Sequence, residues 1–283
     1  MARSVAVAGV LLALCGTDVR GQHAATAPAL RTFDFAGVSL DGGPLRQQLD
    51  DARVFYLRIP NDDLLRPFRQ RAGRPSPGAV LRGWYERDVF HVFGQIVGGL
   101  ARLAAATGDE ACAGKVRALV HGFGECIDAD GWFFASRRPN APHYTFDKLV
   151  GGLLDAHAYC ADPEALPLLA RLVTWAEANL ARDRVRGDTA TEWYTLSENL
   201  YRAFLLTGEA RYREFAAVWD YTAWWDLHAA HGDPFKGPPP NGYHAYSHLN
   251  TLGGAARAYE ATGLKRHLAS AVAGHDWFTA QQT

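Results

Sequence analysis

The chain of 283 residues predicts an all-α fold: a ring of helical hairpins, an (α/α) toroid, with a short extended segment ahead of it. Three observations predict it. From Trp84 onward apolar residues recur at three- and four-residue spacing, as in Leu100, Leu103 and Ala104 or Leu149, Leu153 and Leu154, the period of one helix face. Three of these stretches end in near-identical text, AAATGDEA, FLLTGEARY and YEATGLKRH, where a Thr-Gly pair stops one helix and the next begins at once. The connectors are unequal. Tight turns alternate with long aromatic and polar stretches at 128–145, 182–191 and 224–244, whereas a solenoid keeps a fixed short period.

The elements follow in order. Arg3, the apolar run Val5 to Leu14 and the cleavage-like Val19-Arg20-Gly21 read as a signal peptide over 1–21, so the chain is expected to be exported, to a periplasmic or extracellular place. The run is too short to span a bilayer. Residues 22–31 read as a linker and 32–283 as the helical domain. Phe33, Phe35 and Val38, then Val54-Phe55-Tyr56-Leu57, read as extended segments around the turn Asp41-Gly42-Gly43. Arg66 to Pro77 reads as a loop, punctuated by Gly73, Pro75 and Pro77. Helices are expected near 85–106, 110–127, 146–160, 164–181, 192–206, 210–223, 245–261 and 265–280. The hairpin at Cys160-Ala161-Asp162-Pro163 places Pro163 in the first turn of its second helix.

Composition narrows the function. A formal net charge of -1 offers no attraction to a polyanion, so nucleic acid is not an expected partner. Eight tryptophans and eleven tyrosines supply core, and also the flat faces that sugar clefts use. With the leader removed, Cys112, Cys126 and Cys160 remain, an odd number at no zinc spacing, in helical text that suits buried thiols.

Polar residues stand at the starts of the inner helices, where apolar ones would serve a core. They are His91 and Gln95; His143, Tyr144, Asp147 and Lys148; Glu192, Tyr194 and Glu198; and His244, His248 and Asn250. In a ring, such helix starts converge on one mouth. Imidazoles, amides, carboxylates and aromatic faces together suit a polyhydroxylated ligand, whose hydroxyls need both donors and acceptors. Plainer readings stand beside this one: His91 as a satisfied core histidine, Asp147-Lys148 as first-turn charge, Glu198-Asn199 as helix surface. His244 and His248 lack a third ligand for a metal.

These residues carry a resemblance. GWYERDVFHVFGQIVGGLARLAAATGD, PHYTFDKLVGGLLDAHAY, ENLYRAFLLTGEARY and HAYSHLNTLGGAARAYEATG, preceded by RIPNDDLLRPFRQRAGRPSPG, resemble in order the β-L-arabinofuranosidase family, glycoside hydrolase family 127. The resemblance implies an (α/α)6 barrel that hydrolyses glycosidic bonds of plant-type polysaccharide side chains. His91, Tyr144, Lys148, Glu198, His244 and His248 match family positions. Gln95 and Asp147 replace histidines, and Asn250 replaces a proline, which points to a divergent subfamily with another sugar. The resemblance places the acid/base glutamate and the zinc-held cysteines, nucleophile included, beyond the last motif present here. An incomplete toroid of about four hairpins is therefore expected, weak or inactive alone. Its catalytic residues are unassigned, no cofactor is expected in this chain, zinc belongs to the full family domain, and the missing carboxy-terminal portion is a candidate partner. An oligosaccharide or polysaccharide is the expected ligand. A non-catalytic carbohydrate-binding toroid, a protein-docking scaffold and a polysaccharide lyase using Tyr144, His248 and Asn250 remain as alternatives.

Overall fold

A computed structural model describes residues 37–182, 192–234 and 244–281. The leader at 1–21, the linker at 22–31, the extended reading of Phe33 and Phe35, and residues 183–191 and 235–243 of two of the connectors lie outside the described residues.

All regular structure among the described residues is helical. α1 (Gly43–Arg58) and α2 (Asn61–Arg71) come first. Four hairpins follow: α3 (Val92–Thr107) with α4 (Glu110–Gly124), α5 (Pro142–Cys160) with α6 (Ala165–Asn179), α7 (Leu196–Thr207) with α8 (Ala210–Val218), and α10 (Ala245–Thr262) with α11 (Lys265–Gln281); α9 (Thr222–Ala229) lies between the last two. The helices α3, α5, α7 and α10 pack side by side in that order, and each is backed by its own hairpin partner. This is the all-α hairpin architecture that the periodicity predicts.

The Thr-Gly turns explain themselves locally. Gly108, Gly208 and Gly263 have φ of 70°, 75° and 71°, the left-handed conformation that ends a helix and that a Cβ penalises. The preceding threonine hydroxyls donate back to carbonyls one turn earlier, Thr107 to Leu103 (2.7 Å), Thr207 to Ala203 (2.7 Å) and Thr262 to Ala258 (2.6 Å). After the first turn the Asp109 carboxylate accepts from the Ala111 and Cys112 amides and caps α4. The hairpin at 160–163 uses a different device. Ala161 takes φ 51°, and the Asp162 carboxylate accepts from the amides of Glu164 and Ala165. Pro163 thus precedes α6 instead of starting it.

Three expectations need correction. Val54-Phe55-Tyr56-Leu57 is helical, inside α1, although its residue types favour strand. The stretch from Arg66 to Arg71 is helix too, and Pro67 sits within α2. There Leu64, Leu65 and Phe68 anchor the helix in the core, and Phe68 contacts Phe90, Phe93 and Phe123 with ring centroids 4.9–5.5 Å apart. The helix expected from 85 begins at Val92, after two short 3-10 turns, and the one expected over 210–223 ends at Val218, leaving α9 as an element the periodicity missed.

The α3–α5 crossing positions the site. A Cβ on Gly94 would lie 2.1 Å from the Lys148 carbonyl oxygen, and one on Gly152 would lie 2.6 Å from the Gly94 carbonyl oxygen. Glycine on both helices lets the two backbones touch, which sets Gln95 and Lys148 side by side.

Candidate functional site

Each inner helix contributes a polar side chain from its first two turns: Gln95 from α3, Lys148 from α5, Glu198 from α7 and Asn250 from α10. They line one groove, a cavity of about 290 Å³ whose α3 and α5 walls are largely glycine. Three of these side chains are wired together. The Lys148 ammonium donates to Asn250 Oδ1 (3.2 Å), and Asn250 Nδ2 donates to Glu198 Oε2 (2.7 Å). Gln95 Nε2 lies 3.5 Å from the hydroxyls of both Tyr144 and Tyr246. The ammonium sits 4.6 Å from the Tyr144 ring centroid and 5.6 Å from that of Tyr246, within cation–π range.

Behind the rim lies a second tier. Asp147 pairs with Lys148 at 2.9 Å and accepts from Asn199 Nδ2 at 2.7 Å. Two turns further along α3 and α5 come Arg102 and Asp155, seven residues after Gln95 and Lys148 and so on the same faces. Asp155, only 2 % exposed, accepts from Arg102 Nε (2.8 Å) and from Arg202, whose other arm donates to Asn199 Oδ1 (2.8 Å). Arg102, Asp155, Asn199 and Arg202 all reach the groove.

The electrostatics differ from group to group. Burial works against the charge on Lys148, but Asp147, Tyr246 and Glu198 together more than compensate and raise its pKa. Burial raises the pKa of Glu198, and the Asp147 charge adds to this, only partly offset by Arg202, Lys148 and Arg257. Part of the Glu198 side chain still faces the groove. The site therefore joins a held cation to a carboxyl group with increased proton affinity.

The remaining expected residues fall in different places. Tyr144 and Asp147 back the groove without lining it. His91 stands edge-on to Tyr144 (4.9 Å) and to Trp84 (5.4 Å), an indole that is 67 % exposed. Burial, then Lys148, pushes the His91 pKa down to about 4, so its imidazole is neutral at ordinary pH. His244 and His248 lie outside the groove. His244 pairs with Glu192, which takes φ 47°, and meets the site through Tyr246, 6.1 Å away. His248 is buried between Tyr194 (4.8 Å) and Trp224 (4.9 Å), with Nδ1 3.0 Å from the His244 carbonyl oxygen. The four-residue spacing of this pair serves a helix start and an aromatic cage, so the two imidazoles do not converge on one ligand.

Sequence reasoning missed Arg102, Asp155, Arg202, Trp84 and Tyr246, and offered helix surface as a reading of Asn199, which is buried. The seven-residue spacing from Gln95 and from Lys148 was the available signal. No group of three His, Cys, Asp or Glu able to hold a metal ion occurs among the described residues. Cys112, Cys126 and Cys160 are buried as free thiols in the apolar core, where burial pushes Cys112 and Cys160 up to about 11. These donors do not fit the zinc site that the resemblance implies for the full family domain.

An all-helical hairpin domain with a wired polar groove at its inner helix starts is the kind of scaffold that carbohydrate-active proteins use. The comparison with known families agrees: the β-L-arabinofuranosidase, GH127 catalytic domain matches residues 37–283, and the chain belongs to that family. No curated protein matches the chain.

Proposed function

We propose that the groove binds a saccharide and that the chain is a glycoside-hydrolase-type domain directed at polysaccharide side chains. The observation that carries this reading is the Lys148–Asn250–Glu198 chain beneath the faces of Tyr144 and Tyr246. A sugar hydroxyl both donates and accepts. The groove offers an ammonium and amide groups that donate, together with amide and carboxyl oxygens that accept. Membership of the family supports a carbohydrate substrate.

Glu198 is the groove carboxyl best placed to keep a proton and give it up to a glycosidic oxygen, since burial raises its proton affinity. Asp147 and Asp155 are committed to ion pairs. Hydrolysis takes two carboxyl-type groups, or a carboxyl and another nucleophile, across the bond. The described groove presents one carboxyl outside an ion pair, so weak or no turnover is the expected behaviour. The apolar run near the amino terminus supports action outside the cytoplasm.

Calorimetry of the full chain against neutral arabino- and galacto-oligosaccharides tests the reading. Binding is expected, and Glu198→Gln and Asn250→Ala should each weaken it about tenfold, the value of one good hydrogen bond to a charged or polar partner. Absence of heat with every sugar, or affinity untouched by both variants, would remove the groove as the site. An aryl arabinofuranoside reports turnover in the same preparation.

A further inference from the structure

A cavity of about 790 Å³ lies apart from the groove. It opens between α2 and the segments on either side of Asp88 and Ser136, and five arginines line it: Arg71, Arg74, Arg87, Arg137 and Arg138. Asp88 is the one carboxylate in that lining.

The five guanidiniums are unequally engaged. Arg71 is structural: it is nearly buried and donates to the carbonyls of Phe134 and Cys126 and to Asp128. Arg137 spends one arm on Asp128 and lies 5.4 Å over the Trp132 ring, which holds its plane. Arg74 and Arg87 reach Glu125 and Asp88 only at 3.8 and 3.7 Å, and all four side chains are about half exposed or more, so these pairs hold weakly. Arg138 is exposed and has no ion-pair partner among the described residues. Even with Asp128 and Glu125 counted against them, the arginines leave an excess of positive charge in a chain whose net charge is -1. Ser136 and Gln70 add neutral polar groups to the wall.

The cleft is also continuous with the groove rim along the chain. The Asn140 amide donates to the Asp88 carbonyl at 2.7 Å and ties the two segments together. One segment runs on from Asp88 to His91, and the other from Ser136 to Tyr144.

We propose that this arginine cleft is a second binding site, for the carboxylates or sulfates of an acidic oligosaccharide. Planar guanidiniums match such oxyanions bidentately, and the cleft is large enough for more than one sugar unit. The saccharide part of this proposal rests on the reading of the groove. Its anionic part rests on the arginines alone.

The test is calorimetry of the full chain with four probes: a galacturonate tetramer, its fully methyl-esterified form, a sulfated tetrasaccharide and inorganic phosphate. A short single-stranded oligonucleotide serves as a polyanion control. The uronide or the sulfated sugar should bind, and the stronger of the two names the anion. The ester should bind at least tenfold more weakly, and added salt should weaken the acidic sugars. Arg74→Gln combined with Arg138→Gln, both at exposed positions, should raise the Kd of the acidic sugar about tenfold while neutral-sugar binding persists. Equal affinity for acid and ester would sink the charge reading and leave the groove intact. Phosphate binding as tightly as the tetramers would reduce the cleft to a small-anion site. Preference for the oligonucleotide would replace the sugar with nucleic acid. Acidic-sugar binding without any neutral-sugar binding would retire the groove reading and keep the cleft.

Discussion

Asp220 shows what burial does to one residue. Its carboxyl accepts from the Tyr201 hydroxyl at 3.2 Å, yet burial lifts its pKa to about 7, against the opposing pulls of that hydroxyl and of Arg266. The folded state therefore keeps a proton that the unfolded chain loses near pH 4, and stability falls as pH rises from about 4 to about 7. Replacing the charge removes that loss. Asp220→Asn should be more stable than the parent at pH 8 by about 1–3 kcal/mol, less than the roughly 4 kcal/mol of a fully buried group because Asp220 is partly exposed. The advantage should vanish by pH 4. Urea denaturation at pH 8, 6 and 4 measures it, and a pH-independent difference would contradict the assignment. At this scale the site was only partly legible. Gln95, Lys148, Glu198 and Asn250 could be named because polar residues at helix starts are conspicuous in an apolar pattern. Arg102, Asp155 and Arg202 could not, because a charged residue in mid-helix is ordinarily solvent surface, and only the tertiary row of helices turns that face inward.

At the scale of the element, the α3–α5 contact is decided by glycine. Gly94→Ala places a methyl group 2.1 Å from the Lys148 carbonyl oxygen, where backbone must move, and should destabilise by about 2–4 kcal/mol. Gly99, on the same helix with nothing near its missing Cβ, provides the control. Gly99→Ala should be neutral or stabilise by up to about 1 kcal/mol through helix propensity. Thermal denaturation of the pair separates close packing from propensity, and similar effects at both positions would refute the close-crossing account. The helices themselves were readable because their apolar period and Thr-Gly stops agree, so that hairpin ends were placed within a residue or two. Three features were not readable. The Val54–Leu57 run has strand-forming residues held in α1, whose neighbours are α3 and α4. Pro67 lies within α2, where the buried anchors Leu64, Leu65 and Phe68 outweigh the missing amide. The short helix α9, two turns long and apolar around Trp224 and Trp225, has too few residues to show a period.

At the scale of the molecule, Asp155 ties three inner helices. It stands on α5 and accepts from Arg102 of α3 and Arg202 of α7, so one buried carboxylate fixes the spacing of the row. Asp155→Ala should cost about 3–5 kcal/mol, because it strips the shared anion from the largely buried Arg202 and the half-exposed Arg102, and should lower Tm by roughly 10 °C. A change within error would show that apolar packing alone holds the row. The hairpins are also asymmetric end to end. Their stops at Gly108, Ala161, Gly208 and Gly263 are a few residues long, whereas the stretches of sequence ahead of α5, α7 and α10 are long, and the groove residues Lys148, Glu198 and Asn250 stand near the starts of those helices. The groove residues and the left-handed hairpin stops thereby stand at opposite ends of the row of inner helices. Under the proposed saccharide reading, exchanging side chains at the groove end refits one frame to other sugars and leaves the hairpin stops untouched, whereas the left-handed stops allow no such freedom.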